Sequence, residues 1–386
     1  MKTLIEIHTL QNFAPSNLNR DDTGAPKDAV FGGTRRARVS SQCQKRAVRQ
    51  HFSELVKQKA LVSDDIGHRT KRLLDALTKL LVDKGRSERE AKEKARLALA
   101  AMELIVRDDG KSEYLLFLGQ REVSAVADII NEKWDAILAP ESAAAEGKKP
   151  GKAKKHAAQS ADPELKNALD GVLDGGKAVD VALFGRMLAD MPEKNQYAAC
   201  QVAHAISTHS VEREFDFYTA VDDLKPEDTA GADMMGTMEF NSACFYRYAV
   251  VDWEKLVTNL QNDAHLATKG LRAFLEGFAL AEPTGKQNSF AAHNPPEFVA
   301  VSIRRDAAPR NLANAFETAI RVKKDESITK KSAEALARKS AILQSAFGGK
   351  EKTYVLNLAE AEVNRFGTAV STLQDLLDKA VAAVKE

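Results

Sequence analysis

The chain has 386 residues, of which 44% are hydrophobic and 29% are charged, values that are ordinary for a globular protein. No segment approaches twenty consecutive apolar residues, so the sequence predicts neither a membrane span nor a membrane partner. With 56 basic and 55 acidic residues the net charge is +1, which argues against a free-standing protein that coats nucleic acid nonspecifically.

The three cysteines, Cys43, Cys200 and Cys244, are scattered along the chain. Their spacing fits neither a disulfide framework nor a metal site, and we expect no metal or other cofactor. Free thiols are typical of a reducing compartment, and the N-terminal segment MKTLIEIHTL alternates as a strand does rather than resembling a signal peptide. The sequence therefore predicts a cytoplasmic protein.

Residues 2–10 have the pattern of a β-strand, and a polar segment that ends at Gly32 and Gly33 follows them. We expect this segment, of about 23 residues, to be a functional loop because mere connections are shorter. Residues 29–53 then contain six basic side chains and no acidic one: Arg35, Arg36, Arg38, Lys45, Arg46 and Arg49. A single-sign segment of this kind is typical of a site that binds a phosphate backbone.

The second half of this basic segment has the pattern of an amphipathic helix. Ser41 and Gln44 have the spacing of a capping box, which predicts a helix start. One face, the basic face, would carry residues at i, i+3, i+4 and i+7, namely Gln42, Lys45, Arg46 and Arg49, and another would bury Val48, Phe52 and Leu55. The alternative is an ordinary solvated basic helix.

The region from about residue 61 to 190 has helical periodicity, with a leucine stripe that includes Leu73, Leu77 and Leu81. The segment 140–164 inside it is poor in apolar residues and rich in lysine, and it predicts a mobile loop. Its lysines could meet a second nucleic-acid strand, or the segment could be a solubilising insertion.

Strand patterns dominate after residue 196. Segments 197–208, 241–253 and 296–305 have β-type composition, and the stretch between the first two predicts a long projecting hairpin. Helices are predicted at 309–321 and 328–345, followed by a short strand and a terminal helix. Strands at both ends with helices between them favour an α+β core of the split βαβ kind.

Five sequence blocks resemble one known family, the crRNA-binding backbone subunit of type I-E CRISPR Cascade (the CasC family). The longest is NLNRDD…KDAVFGGTRRARVSSQ…KRAVR, and the others are AHAISTHSVEREFDFYTAVDDL, GRM at 185–187, FYRYA at 245–249 and KQNSFAAHNP at 286–295. The region 55–180 and the last 80 or so residues match more weakly. This chain has Arg49 where the family commonly has lysine, and Thr34 where a basic residue is common.

The resemblance implies a hand-shaped α+β protein. A modified RRM/ferredoxin-like palm is interrupted by a helical fingers insertion and a long β-hairpin thumb. The implied boundaries are palm at 1–60, fingers at 61–190, palm at 191–210, thumb at 211–240 and palm at 241–386. Copies would stack head to tail along the crRNA with other Cascade subunits, and the thumbs would kink the RNA at intervals so that its spacer pairs with target DNA.

A subunit that carries every guide sequence should contact phosphate and sugar rather than base edges. The residues expected to do this are Arg20, Lys27, Ser40, Gln42, Lys45, Arg46 and Arg49. Arg20 could instead pair with Asp21 or Asp22, and Lys27 with Asp28. The resemblance further implies apolar contacts with the kinked RNA from Met187, Phe217, Tyr218, Thr219 and Val221, for which ordinary core packing is the alternative.

We expect a non-catalytic subunit, because in the DNA-targeting type that the chain resembles, cleavage belongs to a separate helicase-nuclease. The main rival is a ribonuclease, since the adjacent pairs Asp21–Asp22 and Asp222–Asp223 could bind a divalent ion. A stand-alone RNA-binding module unrelated to CRISPR is a third possibility.

Overall fold

The structure is a computed structural model that describes residues 2–137, 163–189, 191–220, 234–363 and 365–386. The chain forms two compact units. The first, the sheet unit, comprises Met1–Phe52, Cys200–Glu254 and Leu271–Glu386, and the second, the helical unit, comprises Ser53–Ala199 and Lys255–Gly270. The predicted lysine-rich loop 140–164 lies outside the described residues up to residue 162. The division into palm, fingers and thumb stays a prediction.

The described chain contains twelve strands and eleven α-helices, which are numbered here in chain order. The strands are β1 Thr3–Ser16, β2 Asp28–Phe31, β3 Thr34–Val39, β4 Gly67–Thr70, β5 Leu116–Gly119, β6 Cys200–Val202, β7 Ala205–Ser207, β8 Glu214–Ala220, β9 Met234–Asp252, β10 Phe298–Arg305, β11 Lys350–Asn357 and β12 Thr368–Val370. The helices are α1 Ser41–Lys57, α2 Leu73–Asp83, α3 Glu88–Ala101, α4 Gln120–Glu132, α5 Pro163–Asp170, α6 Val179–Phe184, α7 Trp253–Asn259, α8 Ala264–Leu280, α9 Gln287–Phe290, α10 Ile328–Phe347 and α11 Leu373–Lys385. The predicted α+β class is confirmed at this level, and the RRM-like detail stays a prediction.

The sheet unit is built on one large mixed sheet in the order β12-β11-β10-β1-β9-β7-β3-β2, with β6 and β8 also paired to β9. Strand β1 lies near its centre, where Ile7 is paired with Ala249 of β9 and Val301 of β10. Both neighbours are antiparallel to β1, and its first nine residues are buried. The polar residues Glu6 and His8 are therefore buried together with the apolar ones.

Polar groups are buried inside this sheet and satisfy one another. The carboxylate of Glu6 accepts a hydrogen bond from the Tyr248 hydroxyl (2.6 Å) and is paired with the guanidinium of Arg304. His8 lies beside them, with Nδ1 2.9 Å from the Tyr246 hydroxyl. Burial costs an unpaired charge several kcal/mol or more, so these partners are needed for the strands to pair in this register.

The helical unit has its own apolar core. Helices α2, α3, α4 and α5 bury a cluster that includes Leu77, Leu81, Ile130 and Leu169, and β4 pairs with β5 as a separate two-stranded ribbon. The predicted leucine stripe is confirmed. Among the described residues, no helix is both long and apolar enough to cross a membrane.

Some local predictions differ from the structure. The segment expected to be one loop up to Gly33 contains the end of β1 and all of β2, and Gly32 and Gly33 form the turn between β2 and β3 with φ of +58° and +76°. A Cβ atom on Gly32 would lie 1.7 Å from the carbonyl oxygen of Glu317, so only glycine fits there. The predicted helix at 309–321 is wrong, because only Ala313–Phe316 forms a single 3-10 turn.

Candidate nucleic-acid interface

Helix α1 begins at Ser41 because the residue before it supplies the cap. The hydroxyl of Ser40 accepts a hydrogen bond from the backbone N–H of Cys43 at 3.3 Å. The predicted capping box of Ser41 and Gln44 is wrong, since Gln44 is buried and its amide donates to the carbonyl oxygen of Ala203 at 2.9 Å. The hydroxyl of Ser40 therefore has a structural use, and its contact with RNA stays a prediction.

The two predicted faces of α1 are present. Val48, Phe52 and Leu55 are buried. On the basic face, Gln42 and Arg46 are exposed and Lys45 and Arg49 are half-buried. The structure thus brings the predicted residues of this helix onto one accessible side, where cations can meet phosphates.

A polar cleft of about 460 Å³ lies beside the basic face. Residues of α1, the loop after β1 and the segment after α8 form its wall: Leu18, Asn19, Arg20, Asp21, Asp22, Gly24, Cys43, Arg46, Ala47, Gln50, Pro283, Thr284 and Gly285. Arg46 Nη1 donates to Gln50 Oε1 at 3.2 Å, which orients the guanidinium. The cleft therefore brings together Arg20 and Arg46, which are 26 positions apart in the sequence.

Lys27 lies next to the cleft loop, where its backbone N–H donates to the carbonyl oxygen of Asn19 at 2.9 Å. Its neighbour Asp28 is used elsewhere, because it pairs with Arg35 at 3.1 Å and with Arg213 at 2.9 Å. Within the described part of the chain, the ion pairs of Asp28 do not include the alternative one with Lys27. Lys27 is half-buried.

Asp21 has a structural role in the cleft loop. Its Oδ1 accepts hydrogen bonds from the hydroxyl and N–H of Thr23 (2.7 and 3.0 Å) and from the N–H of Ala25 (3.0 Å). The hydroxyl of Thr23 is the main reason why the pKa of Asp21 is lowered, so this carboxyl is ionised at neutral pH. Such a turn is a common use of aspartate, and it accounts for Asp21 without a metal ion.

The ribonuclease alternative rests on adjacent aspartates that could bind a divalent ion. The described residues contain no group of three or more histidine, cysteine, aspartate and glutamate side chains that could hold a metal ion. Asp222 and Asp223 lie outside the described residues, as does Val221.

Arg36 belongs to the basic segment but faces the interior. Its guanidinium, fully buried, donates to the carbonyl oxygens of Ser207 (3.1 Å) and Phe316 (2.8 Å). Burial lowers the pKa of Arg36. The basic segment that was predicted to bind phosphate includes this arginine, and no sequence pattern indicated that β3 would turn its side chain inward.

Arg247 is a residue that sequence reasoning missed. It is buried beneath α1, where it donates to Gln44 Oε1 (3.3 Å), to Gln11 Oε1 (2.5 Å) and to the carbonyl oxygen of Phe278 (2.6 Å). Burial lowers its pKa to about 10, which leaves it charged at neutral pH. Through Gln44 it fixes the position of α1. An arginine inside the otherwise apolar and aromatic strand segment FYRYAVV was the available signal.

Strand β8 and the first part of β9 form an exposed β-ribbon, the hairpin. Phe217 is paired with Thr237 and Tyr218 with Gly236, so the two aromatic residues lie on opposite faces. The Tyr218 ring covers Gly236, since a Cβ there would lie 2.4 Å from its hydroxyl oxygen. The side chains of Phe217 and Tyr218 are 64% and 41% exposed, which excludes core packing.

Apolar side chains occur on both faces of the hairpin. The register places Phe215, Phe217, Thr219 and Met235 on one face and Tyr218, Met234, Met238 and Phe240 on the other. A two-stranded ribbon with this composition has no core of its own, so we expect each face to contact another molecule.

Met187 projects from a rigid loop of the helical unit. The side chain is 79% exposed, so core packing is excluded for it too. Its neighbours hold the backbone, because Arg186 binds both carboxylate oxygens of Glu122 at 2.8 and 2.9 Å and Leu188 is fully buried. A flexible apolar side chain on a fixed backbone is suited to contact with a flat apolar partner.

Comparison with known proteins identifies the family. The model of the CT1975-like protein family matches residues 5–381, nearly the whole chain. The chain belongs to this family. It is similar to a solved chain of a "CRISPR RNA-guided surveillance complex, pre-nicking", with a TM-score of 0.80 and 30% identity over 98% of this chain and 99% of that one.

A second similar structure is described as a "CRISPR RNA-guided surveillance complex" and has a TM-score of 0.70 and 26% identity over the same shares of the two chains. The search of curated proteins found no match. At the level of a Cascade-type Cas protein, the predicted resemblance is confirmed for this CT1975-like chain.

Proposed function

We propose that this CT1975-like protein is the crRNA-binding backbone subunit of a type I-E Cascade complex, of the CasC kind, that serves antiviral defence. The observation that carries the proposal is its likeness, over 98% of its length, to a chain of an RNA-guided surveillance complex. The basic face and the polar cleft supply a surface on which such a chain could hold RNA.

The basic face and cleft support binding that is independent of sequence. Cations and a helix N-terminus attract phosphates whatever the bases are. The proposed contacts to phosphate and sugar come from residues around α1: Arg20, Lys27, Ser40, Gln42, Lys45, Arg46 and Arg49. A subunit that accepts every guide needs this kind of contact.

The exposed apolar side chains support a second kind of contact. Separating two stacked bases costs a few kcal/mol, and apolar or aromatic contact must offset that cost. We assign this role to Met187, Phe217, Tyr218 and Thr219, and to Val221 beyond the described part of the hairpin. The RNA would be kinked where they insert, and the bases between the kinks would remain open for target DNA.

The same features support the proposed assembly. Each copy would lie head to tail with the next along the crRNA, together with other Cascade subunits in the cytoplasm. A hairpin with two apolar faces can contact the RNA on one side and a neighbouring copy on the other. The role is non-catalytic, because Asp21 is used by its own loop and the chemistry of target destruction would belong to another component.

The proposal is tested by co-expressing the chain with its genomic neighbours and a CRISPR array, isolating it and sequencing the bound RNA. Uniform, repeat-derived RNA in a complex with several copies of the chain is expected. Heterogeneous RNA, or none, would contradict the proposal and favour a general RNA-binding module. Metal-dependent cleavage of complementary RNA that is lost in Asp22→Ala would favour the ribonuclease.

A further inference from the structure

Two acidic residues share the polar cleft with two arginines. Arg20 and Arg46 lie in its wall together with Asp21 and Asp22. A cleft that only bound phosphate would gain from having cations alone, because a carboxylate repels the phosphate electrostatically. The presence of both signs suggests that the ligand offers a hydrogen-bond donor as well as an anion.

The two carboxylates differ in what they already bind. Asp21 accepts three hydrogen bonds from its own loop and so needs no donor from a ligand. Asp22 is exposed and makes no hydrogen bond or ion pair with any residue that the structure describes. Asp22 is therefore the acceptor that a ligand in this cleft could use.

Ribose supplies the matching donor. The 2′-hydroxyl of RNA lies next to the phosphate on the same nucleotide, and deoxyribose lacks it. Resting on the function proposed above, we propose that Asp22 accepts a hydrogen bond from a ribose 2′-hydroxyl while Arg20 and Arg46 hold the adjacent phosphate. Asp22 would thereby make the subunit select RNA over DNA without contacting a base.

The electrostatics give this selection two parts. RNA gains a hydrogen bond to a charged acceptor, which is stronger than one between neutral groups. DNA places its phosphate close to the same carboxylate but has no 2′-hydroxyl to donate to it, so DNA binding is weaker. A site that is built to bind a hydroxyl rejects the analogue that lacks it more strongly than a neutral pocket would.

The test compares the affinities of the full chain for two single strands of the same base sequence, each about ten nucleotides long. One is a uridine-rich RNA, and the other is the DNA with deoxyuridine in place of uridine. A third oligonucleotide, RNA with 2′-O-methyl groups, keeps the ribose pucker but has no donor. The variants are Asp22→Ala, Asp22→Asn and, as a control, Glu362→Ala, an exposed carboxylate of the sheet unit outside the cleft.

We expect the ratio of RNA to DNA affinity to fall at least about fivefold in Asp22→Ala, through weaker RNA binding, tighter DNA binding or both. The ratio for Asp22→Asn should be intermediate, because the amide keeps an acceptor oxygen without the charge. Glu362→Ala should leave the ratio unchanged. Wild-type protein should bind the 2′-O-methyl RNA about as it binds DNA.

An unchanged ratio in Asp22→Ala, or 2′-O-methyl RNA bound as tightly as RNA, would overturn the inference while leaving the proposed function standing. Cleavage of the RNA by wild-type protein would overturn it in favour of a catalytic role. If the wild-type chain did not bind RNA at all, the proposed function would fail and this inference with it.

Discussion

Arg36 and Arg46 show how differently two arginines of one basic segment are used. Both belong to the segment predicted to bind a phosphate backbone, but Arg36 is buried against backbone carbonyl groups whereas Arg46 is exposed in the polar cleft. Charge counting along the sequence could not separate them. The separation depends on which face of β3 packs inward, and that is a property of the sheet.

The contribution of the basic face to RNA binding is tested by the double variant Lys45→Ala/Arg46→Ala. Removing two phosphate contacts should weaken binding of every guide sequence at least roughly tenfold. It should also reduce the slope of log affinity against log salt by about 1.4, since each contact with a single strand contributes about 0.7. The measurement is a salt titration of RNA affinity.

The matched control is Arg338→Ala/Lys339→Ala on α10, where one side chain is likewise exposed and the other half-buried. It should leave both quantities unchanged. Loss of affinity for only some RNA sequences would contradict binding through the phosphate backbone.

His8 makes stability depend on pH. Burial lowers the pKa of this histidine from 6.5 to about 3, so the folded chain holds it neutral while the unfolded chain protonates it. The contribution of His8 to the free energy of unfolding is therefore fully present above about pH 6.5. It falls by about 1.4 kcal/mol for each pH unit between 6.5 and about 3. Urea unfolding between about pH 7.5 and 5 should show this slope.

In His8→Gln that part of the slope should disappear, because glutamine does not titrate. His265→Gln, at an exposed position, should keep the wild-type slope. Equal slopes in wild type and His8→Gln would show that His8 is not the group responsible.

At the scale of elements, the hairpin is where the structure adds most to the sequence. The sequence predicted a projecting hairpin, and the resemblance implied RNA contacts from its neighbouring residues Phe217 and Tyr218, but the strand register puts these two on opposite faces. Adjacent residues in a strand always alternate, so the pair cannot act as one wedge. Each aromatic residue should have a different partner.

Single variants of the hairpin should therefore behave differently. Phe217→Ala and Tyr218→Ala remove exposed side chains, so the free energy of unfolding should change by less than about 0.5 kcal/mol in each. We expect one to impair capture of target DNA and the other to impair assembly of copies along the RNA. Asp216→Ala, an exposed polar position of the same strand, is the control.

Gel filtration of the isolated complex measures assembly, and a filter-binding assay measures target capture. If both variants assembled and captured the target like wild type, the hairpin would lose its proposed role.

Helix α1 was predictable because several local signals coincide there. Its apolar residues recur with helical spacing, and the basic residues occupy a different face. The segment 309–321 lacked that agreement: a proline near its start suggested a helix, but only one 3-10 turn forms and Phe316 is buried. Propensity alone did not decide this segment; packing did.

The position of the candidate site was predictable only in part. The basic face follows from residue spacing, but the polar cleft depends on bringing residues 18–24 and 283–285 against α1. These three segments are adjacent only in the folded sheet unit. The arginine in FYRYAVV was a signal of a special role for Arg247, but that it supports α1 from beneath depends on the same folded arrangement.

At the scale of the whole molecule, the match to the CT1975-like family covers residues 5–381, and the similar chain of a surveillance complex is covered to 99%. The likeness therefore includes both the sheet unit and the helical unit. Met187 belongs to the helical unit, while the basic face, the cleft and the hairpin belong to the sheet unit.

The central claim is that copies of this chain hold one RNA through α1 and the hairpin, and electron cryomicroscopy of the purified complex tests it most directly. The account predicts a head-to-tail array of copies, with RNA phosphates at Lys45 and Arg46 and a kinked base at each Met187. A single copy per complex, or RNA whose path avoids α1, would contradict it.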